Sequence, residues 1–336
     1  MQRVARSPRT GMVALVAIAA AFAFYFSNIQ TVPVSGRRRF NCFSKNFVEA
    51  VAEQQVRRVI WEVEHQGGRF LPAWDPRVRM VGRVMERLIP VSGMEDAQWE
   101  IRVIDDRTAN AFVLPGGKVF VHSGLLSVAR NEDGLAAVLG HEIAHNLADH
   151  VGERMSGSIG TDVLLGAAIL LTGGLAAIAT WALGNRVLDV LFGRPMGRRQ
   201  ESEADYIGLM MMAEACYDPR VALDFWRRME RMQQLEPPEW LSTHPSVCPT
   251  VLLSIAPVPC GFRIAFVYTH ILPKLDDIDA NLSRPQNHNR IQKIAEWMPQ
   301  ALEKRQLSDC HGTTAFADAF RKALDQGYII TTSGWA

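Results

Sequence analysis

Asn131 to His150 reads NEDGLAAVLGHEIAHNLADH, and the spacing of its apolar residues decides the fold around it. Leu135, Val138, Leu139 and Ile143 recur at helical intervals, which predicts an amphipathic helix with one buried face. His141 and His145 are four residues apart, so their imidazoles stack one turn above the other. Two neutral imidazoles held in that way can grip a zinc ion at about 2.0–2.1 Å each. Glu142 points to a neighbouring face, where it is placed to take a proton from water that a cation activates. His-Glu-Xaa-Xaa-His fixes only three positions, and a helix with solvated histidines would carry it too. The motif therefore needs a third ligand.

Gly197 to Leu209, GRRQESEADYIGL, supplies the candidate. Glu201 and Asp205 are again i and i+4, so one helical face carries two carboxylates. A catalytic zinc takes three protein ligands and keeps one position open. Glu201 is the expected third ligand. Asp205 is expected to accept the spare ring N–H of a ligand histidine and so set its tautomer. Glu203 is expected to point elsewhere, into solvent. Alone, an acidic helix start would read as capping; beside the histidine pair, a metal site is the better account.

His141-Glu142-Ile143-Ala144-His145 followed by Glu201-Ser202-Glu203-Ala204-Asp205 resembles the zinc metallopeptidase family that contains HtpX and the CAAX prenyl endopeptidases. Asn110 to Leu126, NAFVLPGGKVFVHSGLL, is similar to that family's active-site strand. Ser27 to Asn41, SNIQTVPVSGRRRFN, and Leu241 to Ser246, LSTHPS, resemble the family's mitochondrial inner-membrane stress peptidases, whose activity overlaps that of the m-AAA protease. The resemblance covers about residues 27–305 and implies a gluzincin-type domain, one zinc per chain and peptide-bond hydrolysis. It also implies that His244 stabilises the charge developing on the attacked carbonyl oxygen. A peptide substrate would add as a strand along the segment containing Gly116, Gly117, Lys118 and Val119. Arg290 would support the His244 loop or bind the substrate backbone.

With 336 residues the chain suits one large domain, or a domain plus an anchor. Its 36 Lys and Arg nearly balance 35 Asp and Glu, which gives no basic excess of the kind a nonspecific nucleic-acid binder needs. Five cysteines, an odd number with no CxxC, argue against a complete disulfide framework, and none is assigned a role. Residues 1–10 carry Arg3, Arg6 and Arg9 and no acid, compatible with a presequence remnant. Residues 11–29 approach the roughly 20 apolar residues that span a bilayer, and are read as a transmembrane anchor.

Along the rest of the chain, Phe47 to His65 reads as a helix, and Asp75-Pro76 and Asp218-Pro219 are cap-plus-proline helix starts. Trp99, Ile101 and Val103 alternate as in a strand. Val163 to Leu183 is uncharged and long enough to span a bilayer, but a single crossing there would separate Glu201 from the histidine pair. A core or membrane-apposed hairpin is expected instead. Residues 247–286, inserted between the His244 loop and the helix NHNRIQKIAEWMPQALEKRQ, lack periodicity. Joining Ser246 to Asn287 puts Arg290 six positions after His244, as in the related peptidases. Val247-Cys248 can be encoded GTA-TGT, a fungal-type intron donor, and Gln286 can end in the acceptor AG. A retained intron or a loop insertion is expected, and 306–336 reads as a tail.

The expectation is thus a mainly α protein with a small antiparallel β-sheet (α+β). An N-terminal transmembrane helix leads into a zinc metallopeptidase domain over 44–305. Its partners would be protein substrates, inner-membrane proteins among them, and membrane lipid, with no nucleic acid and with homo-oligomers left open. The catalytic domain would face the intermembrane space. The competing classes are a bacterial-type envelope peptidase-chaperone and a non-catalytic binder of unfolded segments.

Overall fold

A computed structural model of the chain describes residues 8–32, 35–159, 194–235 and 276–308. The apolar run 163–183, His244 and most of 247–286 lie outside them. Among the described residues the fold is mostly helical with two small sheets.

Helix α1 (Pro8–Ser27) is followed by the hairpin β1 (Ile29–Thr31) and β2 (Arg38–Phe40). The anchor expected over 11–29 falls on α1. Among the described residues, no helix is long and apolar enough to cross a membrane, so the structure lends the anchor no support. Next come α2 (Lys45–His65) and α3 (Pro76–Ser92). Ser44 caps α2 by accepting from the Phe47 N–H, and Asp75 caps α3 ahead of Pro76, as the cap-plus-proline reading predicts. Gly93 ends α3 in a left-handed conformation, φ 68°.

Strands β3 (Glu100–Ile104), β4 (Ala111–Leu114) and β5 (Lys118–His122) form the second sheet in the order β3-β5-β4. The sheet is mixed rather than antiparallel: β4 and β5 form a hairpin, while β3 runs parallel to β5 on its other side. The turn at Pro115-Gly116-Gly117 reverses only the β4–β5 pair. The longer segment 105–110 carries the chain back, so β3 and β5 point the same way.

After α4 (Ser123–Ala129), helix α5 (Glu132–Leu147) carries the histidine pair, and a further helical stretch covers 150–159. Helices α6 (Arg194–Glu214), α7 (Arg220–Leu235) and α8 (Asp276–Leu307) complete the described chain. Helix α8 begins inside the segment expected to be an insertion, ahead of the predicted start at Asn287.

Helix α5 departs from the expected single buried face. Gly134 through His145 are all buried, because α3, α4, α6, α7 and β4 enclose it. Its Gly-Ala-rich sequence allows this: small residues fill the faces that Leu135, Leu139 and Ile143 do not. Around it pack Val84, Met85 and Leu88 of α3, Ile207 and Met211 of α6, and Phe225 of α7.

Helices α5 and α6 touch backbone to backbone at two glycines. A Cβ added at Gly208 would sit 2.7 Å from the His141 backbone nitrogen and 2.9 Å from the Gly140 carbonyl carbon. Glu201 lies two turns before Gly208, so the α6 face that meets α5 is the face that presents Glu201.

Candidate metal centre

His141 and His145 project from buried α5, and Glu201 reaches them from α6, its side chain 40% exposed. The His141 and His145 Nε2 atoms are 3.1 Å apart. Glu201 Oε2 lies 3.4 Å from His141 Nε2, and Oε1 lies 3.4 Å from His145 Nε2. Ligand bonds of about 2.0–2.1 Å at tetrahedral angles put donor atoms about 3.3–3.4 Å apart. Each carboxylate oxygen thus meets a different histidine near that spacing, the two imidazole nitrogens sit slightly closer, and among the described residues these three form the group that could hold a metal ion.

The electrostatics suit a cation. Burial keeps His145 well below the usual imidazole value, so its lone pair is available. Burial opposes ionisation of Glu201, but the His145 and His141 imidazoles and Arg290 more than offset it and hold the carboxylate well below its usual range. Burial and the Arg290 charge push His141 down, yet its bonds to Asp205 and Glu201 outweigh them and raise it to about 9. Without a cation, a proton occupies this place among the carboxylates, and a metal would displace it.

Asp205 lies 3.0 Å from His141 Nδ1 through Oδ1, the position the sequence analysis expects of a tautomer-setting acceptor. The guanidinium of Arg290 holds the same carboxylate, Nε at 2.9 Å and Nη2 at 2.5 Å, and lies 3.5 Å over the Trp226 ring. That ring also packs edge-on against His141. Glu142 is buried on the same helix as His141 and His145, 7% exposed.

The candidate substrate segment divides in two. Lys118 and Val119 belong to β5, the central strand, whose sides are taken by β3 and β4. Gly116 and Gly117 have φ 86° and 83°, and a Cβ on Gly117 would meet Trp99, so the turn itself requires both glycines. Lys118 Nζ bonds the Gln98 carbonyl oxygen at 2.9 Å. The outer side of β3 is taken by the backbone of Phe70 and Leu71. Among the described residues the open edge is that of β4, next to α5, where the Asn146 amide reaches the Val113 carbonyl at 2.6 Å.

Glu203, expected in solvent, is buried instead. Its Oε2 lies 2.8 Å from His150 Nε2, and its carboxylate also bonds Ser35 and Arg37. His150 Nδ1 in turn lies 2.7 Å from His145 Nδ1. Helical spacing does not reveal this contact, because His150 is five residues after His145. Helix α5 stops at Leu147, and Asp149 at φ 47° turns the chain so that His150 comes back under His145. The Gly140–Gly208 crossing is likewise silent in the sequence. Cys216, assigned no role above, is disulfide-bonded.

Comparison with known proteins accords with this centre. Over residues 76–248 the sequence matches peptidase family M48. The mitochondrial metalloendopeptidase OMA1 of Schizosaccharomyces pombe is 38% identical over 308 residues, which span 91% of this chain and 77% of the relative. The protein of the same name in Saccharomyces cerevisiae is 30% identical over 314 residues, 88% of this chain and 77% of the relative. Metalloendopeptidase OMA1, mitochondrial, of Homo sapiens is 34% identical over 238 residues, 66% and 44% of the two chains.

Proposed function

This chain belongs to peptidase family M48 and is a metalloendopeptidase, and from that premise we propose a zinc enzyme of the mitochondrial inner membrane that cleaves membrane or misfolded proteins in quality control. The observation that supports this reading most is the convergence of His141, His145 and Glu201: the two Nε2 atoms lie 3.1 Å apart, and each is 3.4 Å from one of the two Glu201 carboxylate oxygens. These three residues would hold the zinc. Bound there, zinc supplies a Lewis acid that makes water nucleophilic near neutral pH and polarises a peptide carbonyl.

The chain's own groups do the rest. The Glu142 carboxylate takes the proton of the attacking water and passes it to the leaving amine nitrogen. Asp205 accepts the hydrogen on His141 Nδ1 and leaves Nε2 as a lone pair. Arg290 neutralises Asp205 and is itself seated on Trp226, so it acts as a positioning residue. His244 would donate to the developing oxyanion. A peptide substrate would pair with the open edge of β4, where backbone hydrogen bonds ask little of its sequence.

The peptidase domain would cover 44–305, interrupted at 247–286. Membrane attachment would come from residues 11–29, where Phe22, Phe24 and Phe26 are exposed apolar side chains. The relatives' names make the location mitochondrial. The catalytic domain would face the intermembrane space.

The test is casein turnover and zinc stoichiometry on the detergent-solubilised chain. Glu142→Gln should keep its zinc and lose turnover by about 10²–10⁴-fold. Glu201→Gln should lose the metal. Wild-type turnover in Glu142→Gln would rule the mechanism out, and unchanged zinc in Glu201→Gln would remove the third ligand.

A further inference from the structure

The hydrogen bonds behind His145 run in one direction. His145 Nε2 faces His141 and Glu201, so the ring must keep that nitrogen bare to act as a ligand, and its hydrogen must sit on Nδ1. Nδ1 lies 2.7 Å from His150 Nδ1, and two ring nitrogens at that distance share one hydrogen, one donating and one accepting. His150 decides which. Its Nε2 lies 2.8 Å from the Glu203 carboxylate, which only accepts, so the His150 hydrogen is on Nε2 and its Nδ1 is bare. His150 Nδ1 therefore accepts, and His145 Nδ1–H donates. The opposite tautomer of His150 would put a hydrogen against His145 Nδ1 and drive the His145 hydrogen onto the ligand atom.

Glu203 is in turn held from the lead between α1 and α2. Arg37 donates to it through Nε at 3.1 Å and Nη2 at 2.8 Å, and Ser35 bonds the other oxygen. The same guanidinium forks onto Glu153 at 2.5 and 2.6 Å, and Gln200 donates to Glu153 at 2.9 Å. His150, Glu203 and Glu153 are all buried, so without Arg37 two neighbouring carboxylates would lose the cation that hydrogen-bonds both of them.

We propose that Arg37, Glu203 and His150 form a positioning relay that fixes the tautomer and ring orientation of His145, making the lead after α1 a working part of the metal site. The proposal rests on the reading of His145 as a ligand. A ligand histidine with its outer partner removed loses about 10–100-fold in metal affinity.

The experiment measures zinc affinity of the full chain in detergent, by competition with a chromophoric chelator, and the absorption spectrum after loading with Co²⁺. His150→Phe keeps a ring but no acceptor, and should bind zinc about 10–100-fold more weakly with an altered Co²⁺ spectrum. His150→Gln offers an amide oxygen to His145 Nδ1–H and should recover most of that loss, which a purely space-filling role for His150 would not predict. Arg37→Ala should weaken zinc in the same direction, and Arg37→Lys should do less harm.

Asn41→Ala serves as the control. It removes bonds from the same lead to Asp149 and Ser156 but leaves the relay intact, and should change zinc affinity by less than about threefold. Wild-type zinc affinity in His150→Phe, or equal damage from Asn41→Ala and Arg37→Ala, overturns the relay. His145→Ala and Glu201→Gln separate the two readings. If both keep zinc, the metal site itself is wrong. If both lose it while His150→Phe does not, the relay alone fails.

Discussion

Replacing Gly208 with alanine tests whether the crossing of α5 and α6 sets the metal site. The new Cβ would lie 2.7 Å from the His141 nitrogen, with two further backbone atoms of Gly140 and His141 at 2.9 Å, where ordinary contact begins at 3.4 Å. All three neighbours are backbone, so no side chain can swing aside, and the helices must separate by about 0.7 Å at that point. Overpacking of this kind costs about 1–3 kcal/mol, of which alanine's better helix propensity returns about 1 kcal/mol. The expected fall in Tm for a domain of this size is up to about 8 °C.

The same displacement reaches Glu201, about 10 Å away along a stiff helix. Donor edges of 3.4 Å would lengthen towards about 4 Å, beyond the tetrahedral spacing of about 3.3–3.4 Å. Zinc affinity, measured by chelator competition, should fall at least about tenfold, because such sites tolerate only about 0.5 Å of error. Gly197→Ala, on the same helix with nothing within 4 Å, should instead gain about 0.4–1 kcal/mol and leave zinc untouched. Gly208→Ala with wild-type Tm and zinc affinity within twofold of wild type would refute the argument that this contact positions Glu201.

Two further outcomes follow from the centre. In the metal-free chain His141 titrates at about 9 rather than 6.5, so its bonds to Asp205 and Glu201 stabilise the fold fully below pH 6.5. That stability, on the order of a few kcal/mol, should be lost as pH rises through 9, while the zinc-loaded chain should not show the loss. Urea unfolding with and without chelator at pH 6, 7.5 and 9 checks this. Trp226→Leu removes the ring beneath Arg290 and should lower stability by about 1–3 kcal/mol. A double-mutant cycle with Arg290→Ala should return a coupling of about 0.5–2 kcal/mol, and additive effects would deny the stacking any role.

What the sequence determined by itself were features carried by local spacing. Four-residue intervals put His141 above His145 and Glu201 above Asp205, whatever surrounds the helices. Asp75-Pro76, Asp218-Pro219 and the alternation at Trp99, Ile101 and Val103 act within a turn or two of chain, so these elements were legible too. Only the tertiary structure decided the rest. Helix α5 is buried on every side because five elements enclose it, and small residues do not announce how many neighbours they admit. The sheet is mixed because the path of residues 105–110 sets the direction of β3, which no strand pattern encodes. Glu203 is buried because Arg37, more than 160 residues earlier, supplies its countercharge. His150 meets His145 because the helix stops at Leu147 and the backbone turns at Asp149, so a pair that helical periodicity would keep apart is brought to 2.7 Å. Periodicity reports which residues share a face; only packing reports what that face meets.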